Sequence, residues 1–456
     1  MEVNKLFGTD GIRGTPGEYP LTDGMIFKIG KGAAKFLLHN PQIREKERPT
    51  IIIGNDTRAS SYKIETVLAS GITSYGVDVL SIGIIPTPGL AFLVSKFQAD
   101  LGLMISASHN RPEDNGIKFF AHSGHKLTED EERLMENIVF DSMINLNGHS
   151  TDRKGTVFQV KNAPATYMDF LRSTVSNLDL SGLKIVADCG NGAASCIVAE
   201  LFRKMGADVY SVGDKPDGTN INVGYGVLFP DNMSKMVTEY NADIGFAFDG
   251  DGDRLILSNE KGEILDGDHI MAIIGTQLLK QNKLPKKTIV ATIMSNWGFE
   301  DAIQMAGGRI VRTAVGDKYI MQSMRKHGLG LGGEQSGHII FLEHTTTGDA
   351  LVAALQILKI MKETNKALSE LSKCMRKIPQ TLVNVEVKEK KPLEEIEEIS
   401  QAIFKSNARL EGNGRLLVRY SGTEPVARVM VEGKNKELIK EIADFVANKI
   451  KECLGE

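Results

Sequence analysis

A chain of 456 residues with 41% apolar and 25% charged residues has an ordinary globular composition and is too long for one compact core, so three or four domains are expected. A net charge of −4 gives no case for nucleic acid as the main partner, and no apolar stretch reaches the length of a membrane span. Cys189, Cys196, Cys374 and Cys453 form no C-x-x-C pair and no zinc spacing, and the opening MEVNKLFGTDG does not read as a signal peptide; reduced thiols in a cytoplasmic protein are expected.

Three segments begin alike, each with a short β-rich run followed by small polar residues: TIIIGNDTRASS from Thr50, KIVADCGNGAAS from Lys184 and TIVATIMSNWGF from Thr288. Each leads through a helical stretch to a second strand opened by glycine, at Gly76, Gly206 and Gly307. Each then reaches a third strand, in ADLGLMISASHN, ADIGFAFDGDGD and GLGLGGEQSGH. Strands alternating with helices predict βαβ units. The fold class expected is therefore α/β: three consecutive α/β domains of related topology with mixed, mostly parallel sheets, then a smaller C-terminal α+β domain, around a central cleft. The expected boundaries are 1–155, 156–257, 258–374 and 375–456.

At the end of the third strand the three units carry three different chemistries. In the first, the apolar run Leu101–Ile105 stops at Ser106, Ala107, Ser108, His109 and Asn110, a polar loop at a strand's carboxyl end, where open α/β sheets hold ligands. Ser108 lacks the G-x-S-x-G nucleophile elbow. In the second unit, DGDGDR at residues 249–254 places carboxylates at alternate positions. In an extended loop Asp249, Asp251 and Asp253 share a face and converge on one hard cation, which also relieves their repulsion. An EF-hand is excluded, because its sixth position needs glycine and holds Arg254, and the flanks IGFAF and RLILS are strands. Three carboxylates leave a Mg²⁺ open positions for phosphate oxygens, so Ser108 reads as a phosphoryl carrier, with Arg254 available to the equatorial oxygens.

In the third unit, GGEQSGH at 332–338 offers a carboxylate, an amide and a hydroxyl suited to sugar hydroxyls or an amino group. Its overlap with G-x-G-x-x-G closes the third strand rather than the first, and Glu334 would repel a pyrophosphate. Beyond Cys374, an alternating strand (Leu382, Val383, Val385, Val387) precedes a charge run that reads as a solvated helix face. Two strands around a turn follow, in GRLLVRYSGTEPVARVMVEG. An amphipathic helix with apolar Leu438, Ile442, Phe445, Val446 and Ile450 comes last. Arg419, Ser421, Gly422, Thr423 and Arg428 gather around that turn as a clamp for a phosphate dianion.

These four loops, in this order along nearly the whole chain, resemble the α-D-phosphohexomutase superfamily. Its elements are a phosphoserine loop, a D-G-D-G-D metal loop, a G-E-x-S-G sugar loop and a phosphate-binding loop. FGTDGIRG at Phe7–Gly14, GGEQSGH, TTGDA at Thr346–Ala350 and SGTEPVARVMVEG are most similar to its phosphoglucosamine mutase branch. The resemblance implies interconversion of glucosamine 6-phosphate and glucosamine 1-phosphate, for amino-sugar nucleotide synthesis, with Mg²⁺, a phosphoserine and glucosamine 1,6-bisphosphate (or glucose 1,6-bisphosphate as activator). It implies that Ser108 is the phosphoserine and ligates Mg²⁺ with Asp249, Asp251 and Asp253, with Arg13 and His109 beside it. Lys118 becomes a general acid/base candidate and His338 a second. Glu334 and Ser336 would hold sugar hydroxyls, and the turn from Arg419 to Thr423 the non-transferred phosphate. Partners are then a small phosphosugar, neither nucleic acid nor membrane, with a homodimer the assembly to test. Two stretches depart from the pattern: Arg111 stands where the family places proline, and Tyr225–Phe229 replaces a C-G-S-T-H-like run. The alternatives are the same mechanism on glucose or mannose phosphates, or a catalytically silent sugar-phosphate-binding protein.

Overall fold

The computed structural model describes residues 6–8, 10–39, 47–140, 154–410, 412–421 and 425–455. The chain divides into two compact units, Met1–Ser295 with Ile303–Cys374, and Asn296–Ala302 with Met375–Glu456.

The larger unit contains three sheets built to one plan. The first contains β1 (Ile12–Gly14), β2 (Thr50–Asn55), β3 (Asp78–Ile84), β4 (Leu101–Ile105), β5 (Asn115–Ala121) and β6 (Val157–Gln159), ordered β1-β5-β4-β2-β3-β6. The second contains β7 (Lys184–Asp188), β8 (Asp208–Val212), β9 (Ile244–Phe248), β10 (Leu255–Asn259) and β11 (Ile264–Leu265), ordered β11-β10-β9-β7-β8. The third contains β12 (Thr288–Thr292), β13 (Arg309–Thr313), β14 (Leu331–Gly333) and β15 (Ile339–Phe341), ordered β13-β12-β14-β15. In each, the first strand of the sequence repeat lies between the second and third and pairs with both in parallel. A fourth strand then returns antiparallel on the third: β5 on β4, β10 on β9 and β15 on β14. The sheets are mixed, with parallel pairs in the majority, as expected.

The central strands are covered on both faces, which is why they read as unbroken apolar runs. All five residues of β4 and of β9 are buried. The core of the first domain packs Ile51, Ile53, Leu101, Leu103 and Ile105 against Ile29, Leu68 and Ile72 of the helices Asp23–His39 and Ser61–Thr73. Those helices cross at glycines: a Cβ on Gly30 would lie 2.3 Å from the Leu68 carbonyl oxygen. The strand β6 hydrogen bonds to β3 in the first sheet, and β10 runs on to Asn259 in the second. The boundaries expected at 155/156 and 257/258 therefore each cut through a sheet.

The smaller unit has a three-stranded antiparallel sheet of β16 (Gln380–Glu386), β17 (Gly414–Tyr420) and β18 (Val426–Gly433), ordered β16-β18-β17. Helices Glu397–Leu410 and Lys436–Leu454 complete it. The closing helix buries Ile442, Val446 and Ile450 as expected, but Phe445 is 38% exposed and Ile439 takes the inner position. Ile439, Ile442 and Val446 lie three and four residues apart and share a face, which Phe445 does not. In β16, alternation puts Leu382 on the exposed face and Val385 on the buried one.

Candidate active site

The loop after β4 carries Ser108, which is buried and adopts φ of +53°, a left-handed conformation that a serine rarely holds without outside support. That support comes from Arg58, at the end of the loop following β2. Its guanidinium has no exposed surface and donates to the carbonyls of Ser108 (3.0 Å), Asn110 (3.0 Å) and Asp114 (2.9 Å), and to that of Arg111. Asp56 anchors the guanidinium at 2.9 Å and accepts the Ser106 hydroxyl at 2.7 Å, while Ser106 Oγ accepts the Ser108 N–H. Arg13 donates to the carbonyl of Ala107 at 2.6 Å and to Asp10 at 2.7 Å. His109 Nδ1 lies 3.3 Å from Ser108 Oγ. Burial, with Arg254 and Arg13 nearby, pushes the His109 imidazole down to about 4, so it is neutral at physiological pH.

The acidic loop after β9 meets this serine. Ser108 Oγ donates to Asp249 Oδ2 at 2.7 Å, and the other oxygen of Asp249 accepts the N–H groups of Asp253 and Arg254. Lys118, in the middle of β5 and 1% exposed, donates to Asp251 Oδ2 at 2.7 Å; the Thr87 hydroxyl reaches the same oxygen at 2.6 Å. Lys118 Nζ also lies 3.1 Å from Asp10 and 3.6 Å from Asp253. Burial opposes its charge, but the three carboxylates outweigh that and hold its ammonium above the ordinary lysine value. Burial together with Asp253 and Asp251 also raises the Asp249 pKa, well above the usual carboxylate range. Arg254 Nε is 3.9 Å from Asp253.

Three buried carboxylates with ligand atoms within 4.8 Å of one another suit a divalent cation. Among the described residues, Asp251 Oδ1 and Asp253 Oδ1 are buried without a hydrogen-bond partner, which is costly unless a cation takes them. The donor set fits Mg²⁺.

From the third sheet, His338 brings Nδ1 to 3.6 Å from Asp253, and its Nε2 accepts the N–H of Gly348 at 3.1 Å. Accepting at Nε2 leaves a proton on Nδ1, facing the carboxylate; burial disfavours the charged imidazole, but Asp253 and Asp317 outweigh that and raise its pKa. Glu334 accepts the N–H of Gly316 at 3.1 Å and lies close enough to Arg254 to favour its charge; Ser336, two residues on, is exposed. The structure thus brings together Ser108, Arg13, His109, Lys118, Arg254, His338 and the three aspartates, with Glu334 alongside.

Sequence reasoning missed Asp56, Arg58 and Thr87. It also missed Lys126, which bridges Asp10 and Asp317 at 2.5 Å each behind Lys118. Their signal, a D-x-R in a turn and isolated charges, is common on any surface.

In the smaller unit, Arg419 and Arg428 are directly paired residues of β17 and β18. Arg428 lies 3.4 Å from Ser421 Oγ, and Lys390 donates to the Ser421 carbonyl at 2.7 Å. Burial and the neighbouring Arg428 lower the Arg419 pKa. Gly422 and Thr423 lie outside the described residues.

Comparison with known proteins accounts for nearly the whole chain. Models of the phosphoglucomutase/phosphomannomutase family match as alpha/beta/alpha domain I at residues 4–144, domain II at 165–262, domain III at 266–378 and the C-terminal domain at 382–449. A phosphoglucosamine mutase of Geotalea uraniireducens is 49% identical over 453 residues, 98% of this chain and 99% of that protein. A phosphoglucomutase/phosphomannomutase family protein from Burkholderia thailandensis superposes with a TM-score of 0.80 at 22% identity, covering 98% of this chain and 97% of that one. An N-acetylphosphoglucosamine mutase of Aspergillus fumigatus, crystallised with GlcNAc-6P and magnesium, superposes with a TM-score of 0.67 at 17% identity, covering 98% and 95%. On these matches the chain belongs to the phosphoglucomutase/phosphomannomutase family.

Proposed function

We propose that this chain interconverts glucosamine 6-phosphate and glucosamine 1-phosphate through a phosphoserine enzyme and a 1,6-bisphosphate, in amino-sugar nucleotide synthesis. The observation that carries the reading is the 2.7 Å bond from Ser108 Oγ to Asp249, inside a triad of buried carboxylates. The name and full-length identity of the Geotalea relative support the sugar.

Ser108 Oγ holds the phosphoryl group. As it passes to a sugar hydroxyl, the Oγ–P bond breaks, an O–P bond forms on the sugar, and the hydroxyl proton is taken up by the enzyme. Ser108, Asp249, Asp251 and Asp253 would hold Mg²⁺, which when bound offsets negative charge on the transferring phosphate. Arg13, His109 and Arg254 line the loop and its acidic partner, where the transferring oxygens lie. Lys118 is the general acid/base candidate, since its ammonium sits 2.7 Å from Asp251, in the acidic loop that Ser108 meets. His338, with Nε2 engaged by Gly348, orients Asp253 and is the weaker candidate. Glu334 and Ser336 bind sugar hydroxyls. Arg419, Ser421, Gly422, Thr423 and Arg428 bind the phosphate that is not transferred. Glucosamine 1,6-bisphosphate or glucose 1,6-bisphosphate activates the dephosphorylated enzyme. The proposed partition keeps four domains, with β6 in the first and β10 and β11 in the second; cytoplasmic location and a homodimer complete the reading.

The test is kcat/KM on glucosamine, glucose and mannose phosphates with a bisphosphate primer, together with mass spectrometry of the Ser108 peptide. Preference for glucosamine phosphates and one phosphate on Ser108 are expected. Equal turnover of all three sugars would reject the sugar assignment, and an unlabelled Ser108 the mechanism.

A further inference from the structure

The bond between Ser108 and Asp249 crosses from the first sheet's loop to the second's, so something must fix those two loops against each other. Asn222 is placed to do so. It sits in the segment between β8 and the helix Pro230–Glu239, 7% exposed, and its Nδ2 donates to the carbonyl of Ser108 at 2.9 Å and to that of Asn110 at 3.0 Å. These are two of the carbonyls that Arg58 reaches from the other side. Each oxygen therefore receives one N–H from a first-domain guanidinium and one from a second-domain amide.

The amide is itself fixed. Asn222 N–H donates to the Gly190 carbonyl at 2.8 Å, and its φ of +59° is one that asparagine tolerates better than most residues. Gly250, between the first two aspartates, packs directly on the contact. A Cβ there would lie 2.6 Å from the Ser108 oxygen and 2.9 Å from Asn222 Nδ2. Serine carbonyl, asparagine amide and metal-loop backbone thus meet at one point.

We infer that Asn222 is a positioning residue for phosphoryl transfer: its amide locks Ser108 in the left-handed conformation and sets Oγ against the acidic loop of the neighbouring domain. Without it, Arg58 alone holds the loop, and the serine drifts relative to Asp249 while the sugar-binding groups stay in place. Transfer in both directions slows, and substrate affinity does not.

The inference rests on Ser108 being the phosphoryl carrier, and two variants test it. Asn222→Gly keeps the positive φ and removes the amide; Asn222→Asp keeps shape and backbone preference but turns both donors into acceptors facing carbonyls. Expected for each is a kcat about 10- to 100-fold lower in both directions with KM within about twofold, the range for displaced reacting groups. Phosphorylation of dephosphorylated Ser108 by glucose 1,6-bisphosphate with Mg²⁺, followed by mass spectrometry, should slow in proportion. In that step an O–P bond on the sugar breaks, the Oγ–P bond forms and the serine proton ends on the sugar oxygen. Labelling of Asn222→Gly as fast as wild type overturns the inference. So does activity that falls only in step with melting temperature, with KM rising as kcat falls. Wild type that takes no phosphate from the bisphosphate fails the carrier reading itself, a separate result.

Discussion

Replacing Arg58 with methionine removes the guanidinium and leaves Asp56 as a buried carboxylate without its cation. Both side chains have no exposed surface, so water cannot take over the lost contacts. Breaking a buried pair from one side costs roughly 3–5 kcal/mol. Carbonyls of Ser108, Asn110, Arg111 and Asp114 lose a donor as well, but exposed members of that loop recover water, so the larger figure is the ceiling. Adding Asp56→Asn returns much of the loss: the amide keeps an acceptor for the Arg58 backbone N–H, the Ser106 hydroxyl can rotate to accept, and no charge remains. The expected coupling is about 2 kcal/mol. Burial already raises the Asp56 pKa with Arg58 present; without it the folded state holds its proton to higher pH still. A folded pKa above the unfolded value means that Arg58→Met loses further stability as pH rises above the ordinary aspartate range, and the double variant does not. Urea unfolding by far-UV circular dichroism is the assay, because the single tryptophan, Trp297, belongs to the smaller unit and reports on that. A loss below about 1 kcal/mol for Arg58→Met, or two changes that simply add, would refute the role given to this pair.

Asp349 caps the helix Ala350–Thr364 and accepts the Tyr167 hydroxyl at 2.8 Å, yet burial pushes its carboxyl up to about 6. The raised pKa makes its contribution fall as pH rises from about 4 through 6, so Asp349→Asn should gain stability over wild type between pH 5 and 8, by up to about 2 kcal/mol in urea unfolding; an equal offset at both pH values would contradict this. Asp251→Asn should leave the fold intact and lower kcat by at least about tenfold, measured across a Mg²⁺ titration; near-native turnover at limiting Mg²⁺ would remove Asp251 from the ligand set. Arg419→Ala should weaken kcat/KM for both monophosphate isomers about equally, by about 10-fold or more, and an effect on one isomer alone would mean that the two orientations do not share this clamp.

The repeat was legible because burial on both faces turns β2, β4, β7, β9 and β12 into apolar runs, and a run ending in small polar residues marks a strand's carboxyl end. The antiparallel β15 escaped because three residues, Ile339–Phe341, are too few to show a period. Ser108 and the three aspartates were legible because their chemistry sits in one short stretch each. Asp56, Arg58 and Asn222 were not, because their meaning lies in contacts: Arg58 reaches carbonyls 50 to 56 positions away, and Asn222 reaches one 114 positions away. Such residues look like ordinary turn composition until the chain is folded. Phe445 was misplaced because an apolar residue beside a helix's apolar stripe counts toward it in a window but not in angle.

The three sheets show why alternation in the acidic loop matters beyond binding a cation. Ser108 stands three residues past the end of β4, Asp249 one past β9 and Glu334 one past β14, so one topology delivers three loops from equivalent strand ends. Each aspartate then meets a different element. Asp249 receives the serine from the first domain's loop, Asp251 receives Lys118 from β5 and Thr87 from a helix N-terminus, and Asp253 faces His338 from the third domain. The loop turns at Gly252, whose φ is +69° and whose N–H donates to the Asp249 carbonyl, so one loop presents three carboxylates in sequence to partners from two domains, with Gly250 leaving room for Ser108 and Asn222 to approach. Deleting one glycine would move every later carboxylate to the wrong partner at once. The spacing therefore carries the assembly of the site as well as its charge.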